Sequence, residues 1–176
     1  ADASDCDDDD ASVHPGASES GVGLWEDPAC DGPGGSLARA DVAFIGEGRN
    51  DYAGLSVHSA GDVDGDGLDD LIIGAYCSSD AGTSAGKAYL ILASSIAART
   101  SANIDLSDAD VAFLGEESAG FAGLSVSSAG DVDGDGLDDF YIGGSQGKSG
   151  TIYTASGSSF SPIDNRTFML DSKHED

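Results

Sequence analysis

Apolar residues between positions 40 and 92 come in four short runs whose spacing alternates every second residue instead of returning every three to four. Residues 41–45 (DVAFI) are β-prone, 53–60 set Leu55 and Val57 against polar neighbours, 70–75 (DLIIGA) form a short buried run, and 88–92 (AYLIL) another. Glycine, serine and aspartate clusters separate these runs, so the connections read as tight turns and the sheet as antiparallel. The pattern predicts four strands per unit and no helix. The longest apolar run, 88–93, has strand length and falls short of the roughly 18 residues a membrane helix needs.

The whole pattern then returns. ADVAFIGE at 40–47 reappears as ADVAFLGE at 109–116, and AGLSVHSAGDVDGDGLDD reappears with Ser127 in place of His58. A repeat of this length is a supersecondary unit that stacks on its neighbours. Four short antiparallel strands at a fixed period predict an all-β fold, a partial β-propeller of four-stranded antiparallel blades with two full blades plus the start of a third. The expected boundaries are an acidic leader at 1–35, blades at 36–104 and 105–160, and a third repeat beginning at 161–176, where Phe168 stands in RTFMLDSKHED. A closed propeller takes about four to eight blades, so two repeats imply a piece of a larger propeller or an assembly of several chains.

Each repeat carries DVDGDGLDD. Asp62, Asp64, Asp66 and Asp70, and again Asp131, Asp133, Asp135 and Asp139, occupy loop positions one, three, five and nine. Alternate hard oxygen ligands let a short loop fold its acids around one Ca²⁺, with Gly67 and Gly136 at position six for the sharp turn. Leu68 and Leu137 at position seven offer backbone carbonyls. Four acids make six like-charge pairs, and at about 5 Å in water each pair costs about 0.8 kcal/mol, so roughly 5 kcal/mol of repulsion accompanies each loop without a cation. A solvated acidic turn arising by chance would not recur with every acid and glycine in register.

Composition narrows the function. Thirty-three acids against seven bases give a net charge of −26, which repels nucleic acid and anionic lipid. The 26 glycines fit a turn-rich chain. The chain opens at Ala1 without a signal-like apolar segment and is read as a mature product or an excised piece. Loops of this kind have affinities of roughly 10⁻⁴ to 10⁻³ M in extracellular modules, which points to a secreted or cell-surface location. Cys6 and Cys30 either pair across the leader or stay as thiols, and Cys77 is left alone.

The order of Tyr52-Ala53-Gly54 or Phe121-Ala122-Gly123, a DxDxDGxxD loop, and Ile73-Gly74-Ala75 or Ile142-Gly143-Gly144 resembles the FG-GAP repeats of integrin α-subunit β-propellers and their bacterial relatives, over about residues 36–157. The resemblance implies that the loop acids hold calcium on one face of the propeller. It also implies an extracellular protein or glycan ligand, with no nucleic acid and no membrane span in this segment, and a role in adhesion or ligand binding. Two rival readings are an accessory, non-catalytic domain of a secreted hydrolase and a surface protein that buffers calcium by acid density.

The leader DCDDDDASVHPGASE resembles an Asp-rich metal-binding motif of secreted bacterial surface proteins and, more distantly, thrombospondin type three calcium repeats. Asp8, Asp10, Ser12, the His14 carbonyl and Glu19 imitate positions one, three, five, seven and twelve of an EF-hand loop, with Asp5, Asp7 and Asp9 as a rival set. His58 and His174 suggest no site. Gly143-Gly144-Ser145-Gln146-Gly147 fits GxSxG, yet a nucleophile elbow leads from a strand into a helix, and the residues that follow read as a strand. The expectation is a protein without catalysis here.

Overall fold

The computed structural model describes residues 40–146, 149–160 and 166–170. The chain divides between Asp41 and Val42, and nearly all described residues belong to the second part, 42–176. The expected leader and its candidate ligands Asp8, Asp10, Ser12, His14 and Glu19 lie outside the described residues, as do Cys6 and Cys30. Cys77 is a free thiol.

The described chain is mostly strand. In order come β1 (Ala43–Ile45), β2 (Ser56–Gly61), β3 (Asp70–Ala75), β4 (Lys87–Ile91), a short helix α1 (Ala93–Ala98), β5 (Asn103–Asp105), β6 (Val111–Gly115), β7 (Ser125–Gly130), β8 (Asp139–Gln146), β9 (Ser149–Ala155) and β10 (Arg166–Leu170). All four expected runs of the first repeat contribute a strand. The helix departs from the expectation: Ala, Ser and Ile at 93–98 carry no period-two alternation, and Ile96 packs back against the core.

Among the described residues three open sheets result, ordered β10-β6-β4-β3-β2, β7-β8-β9 and β1-β5. The antiparallel four-stranded unit exists as β2-β3-β4-β6, but its fourth strand is not the opening strand of its own repeat. β6, which opens the second repeat, pairs with β4 and places Phe113 opposite Ala88. The sheets are also not antiparallel throughout. β1 pairs with β5 in parallel, and β6 pairs with β10 in parallel, with Phe113 opposite Phe168. The strand at Arg166–Leu170 thus lies beside β6 as β5 lies beside β1.

Alternation along the strands sorts side chains between two cores. Ile72, Ala88 and Leu90 face Val126, Phe140 and Ile142 of the second repeat, with Phe113 edge-on to Phe140 at 5.5 Å between ring centroids. Ile73, Tyr89 and Ile91 point the other way, toward Leu106, Ala109 and Phe44. The two repeats therefore stack face to face. Gly74 is required at this contact, because a Cβ there would collide with the Gly123 carbonyl; beside it Ser56 Oγ donates to that carbonyl at 3.0 Å.

Residues 76–86, between β3 and β4, reach across to the second repeat: Ala119, Phe121 and Ala122 N–H donate to the carbonyls of Thr83, Ser84 and Ala85 at 2.8–3.1 Å. Tyr76 packs at a tilt between Tyr52 and Phe121, with ring centroids 5.5 and 6.1 Å apart. Lys87 is buried between Glu47 (2.5 Å) and Asp80 (2.8 Å), and these two acids outweigh burial and raise its pKa.

Candidate metal centre

Each DVDGDGLDD segment forms the turn between two antiparallel strands, β2 to β3 and β7 to β8. A bulge at the end of the leading strand, between Ser59 and Gly61 or Ser128 and Gly130, turns the chain into the loop. Gly67 and Gly136, at φ +88° and +92°, adopt the left-handed backbone that the sequence reserves for glycine.

The loops fold inward on their own acids. In the first, Asp62 accepts the N–H groups of Gly65 (2.8 Å) and Gly67 (3.0 Å), Asp64 accepts that of Asp66 (3.1 Å), and Asp70 accepts those of Val63 (3.1 Å) and Ala93 (2.9 Å). The second repeats the scheme, with Asp131 accepting from Gly134 and Gly136, Asp133 from Asp135, and Asp139 from Val132 and Gly157. The outcome is two matching groups, Asp62 with Asp64 and Asp70, and Asp131 with Asp133 and Asp139, whose oxygens lie within 4.8 Å of one another. Oxygens that share a calcium ion at about 2.4 Å can be at most about 4.8 Å apart, so both sets fit that cation.

Asp66 and Asp135 fall outside these groups. Each accepts the N–H two residues on, from Leu68 (2.8 Å) or Leu137 (2.9 Å), and so shapes the turn. Leu68 lies half-exposed on the loop. Ser145 of the GxSxG match lies within β8, which turns back into β9, so no strand-to-helix elbow forms there.

The electrostatics of the first loop are those of crowded acids. Asp70 is 2% exposed. Burial pushes its carboxyl up to about 6 against the two N–H bonds that favour the charge, and the charges of Asp64 and Asp66 push the same way. Burial, with Asp66, Asp62 and Asp110 nearby, also raises Asp64. In the second loop Asp135 is lowered, by Ser158 and by the Leu137 N–H, and Ser156 Oγ donates to Asp133 at 2.9 Å.

The sequence reading missed the residues that hold these loops in place. Asp138 accepts the Asp62 N–H at 3.0 Å, while its own N–H donates to the Asp62 carbonyl at 2.9 Å, which ties the second loop to the first. Asp110 anchors α1 by accepting from the Leu92 N–H (2.8 Å) and Ser95 Oγ (2.6 Å). The recurrence of a second acid before Asp70 and Asp139 was a visible signal for Asp138; nothing local marked Asp110.

Known proteins resemble this chain in sequence. Residues 53–91, which contain β2, the first aspartate loop, β3 and β4, match the family described as FG-GAP repeat. The chain is similar to integrin alpha-PS2 of Drosophila melanogaster, 34% identical over 130 residues that take in 68% of this chain and 9% of that protein. It therefore spans less than a tenth of that relative's length.

Proposed function

Since the chain is an integrin α-like FG-GAP repeat protein, we propose that its two aspartate loops bind Ca²⁺ and that the ordered repeats act outside the cell in adhesion or ligand binding. The observation that carries this reading is the pair of matching three-carboxylate groups, each within 4.8 Å. Calcium there supplies the positive charge that offsets the mutual repulsion of the acids.

The residues themselves do the rest. Asp70 and Asp139, buried at the start of β3 and β8, hold the far end of each loop through paired N–H bonds. Asp62 curls the near end around Gly65 and Gly67. Because Asp138 grips the Asp62 backbone, ordering of either loop supports the contact between repeats. Loops carried by such a stack form a rigid surface for an extracellular protein or glycan. The leader set Asp8, Asp10, Ser12, His14 and Glu19 is a further candidate for divalent binding.

Calorimetric titration of the chain with calcium tests the reading. Two sites from these loops are expected, each lost in the corresponding Asp62→Asn or Asp131→Asn variant. At 2 mM calcium and a Kd of about 10⁻⁴ M, two sites stabilise the fold by about 3.6 kcal/mol, so EDTA should lower Tm by roughly 10 °C. An unchanged melt on chelation, with no heat of binding, would overturn it.

A further inference from the structure

The two repeats stack in a directional way, and the second repeat presents again the face on which it is itself seated. In the first repeat that face carries Ser56, Ile72, Gly74 and Ala88; the Ser56 hydroxyl bonds the Gly123 carbonyl, and the Asp62 N–H bonds the Asp138 carboxylate. The residues at the same places in the second repeat are Ser125, Tyr141, Gly143 and Ile152, with Asp131 in the place of Asp62. There they line an open groove of about 370 Å³, and Ile152 is 73% exposed.

The strand edges match as well. β4 takes β6 as its outer neighbour, whereas β9, its counterpart, pairs only with β8 among the described residues. β6 lies between β10 and β4; β1, with the same Ala-Phe-(Ile/Leu)-Gly sequence, pairs with β5 alone among the described residues. The seating side of the first repeat is open too. Val57 is 50% exposed and lines a smaller apolar groove with Phe44, Gly54 and Ile73, while its counterpart Val126 is buried under the neighbouring sheet.

We propose that a second copy of this chain seats its first repeat on the outer face of the β7-β8-β9 sheet, head to tail, with its β1 added antiparallel to β9. The contact inside the chain sets the register: Phe44 of the second copy falls opposite Ile152, as Phe113 falls opposite Ala88. Ser125 Oγ meets the Gly54 carbonyl of the second copy, and the Asp131 N–H meets its Asp69 carboxylate. The new strand pairing and the covering of Ile152, Tyr141 and Val57 drive the association. The contact is weaker than its template, because the β8–β9 hairpin is too short to repeat the bonds that residues 76–86 make. It is heterologous, so assembly continues beyond two copies. The inference rests on repeat stacking and strand pairing, independently of cation binding.

Sedimentation velocity of the full chain at 0.15 M salt, where charge repulsion between copies is screened, provides the test. Oligomers that grow over 10–300 µM are expected. Ile152→Lys blocks the receiving face, Val57→Lys blocks the seating face, and each variant alone should be monomeric. Mixed one to one they should form a dimer and nothing larger, since each keeps one competent face. Should Val57→Lys fail to fold, Asp69→Ala takes its place, with at least a fivefold weaker association expected. A wild-type chain that stays monomeric to 300 µM, or assembly that survives Ile152→Lys, overturns the proposal.

Discussion

The two aspartate loops share all nine residues, yet the first is partly covered and the second is open. Asp62 and Asp64 are half-buried, whereas Asp131 and Asp133 are exposed, although Asp70 and Asp139 are equally buried beneath them. The difference comes from what covers each loop. The second repeat lies over the first and reaches Asp62 through Asp138, while beside the exposed acids of the second loop lie Ser156 and Ser158 of its own repeat. An identical local sequence thus acquires different electrostatics from its position in the stack.

The pH dependence of the metal-free chain gives the largest test of that contrast. Asp70 has a folded pKa of about 6, above the unfolded value of about 3.9. The folded state therefore holds the proton more tightly, and stability is lost as pH rises from about 4 through 6. In EDTA, urea denaturation should show a gain of about 2 kcal/mol between pH 7 and pH 4.5 through this group, and Asp70→Asn should flatten most of it. A profile that the substitution leaves unchanged would break the link between enclosure and titration. Saturating calcium should reverse the slope, because the cation needs the carboxylate charged.

Next in size is the bond between the loops. Asp138→Ala leaves the half-buried Asp62 N–H without its acceptor and should cost about 1–3 kcal/mol in urea midpoint measurements. Its counterpart Asp69 is exposed and, among the described residues, accepts from Ser59 Oγ alone, at 3.3 Å, so Asp69→Ala should change the stability of the monomer by about 0.5 kcal/mol or less. Equal effects would mean that stacking does not distinguish the loops. The smallest effect belongs to Ser156→Ala, which removes an exposed hydrogen bond to Asp133; calcium affinity at the second loop should shift less than about threefold, with the first loop unaffected in the same titration.

The sequence alone determined the features that are local. Period-two alternation located the strands, the spacing of acids and glycines defined the loops, and the repeat predicted that the units stack, because a strand's faces and a turn's backbone depend on residues a few positions apart. Tertiary structure decided which strand completes which sheet, the parallel pairs β1-β5 and β6-β10, and the grip of Asp138 on Asp62. It also decided which carboxylates converge and buried Asp70 deeply enough to push its carboxyl up to about 6. Those outcomes join residues far apart in the chain, and they follow from burial and hydrogen-bond partners that exist only once the second repeat has packed against the first.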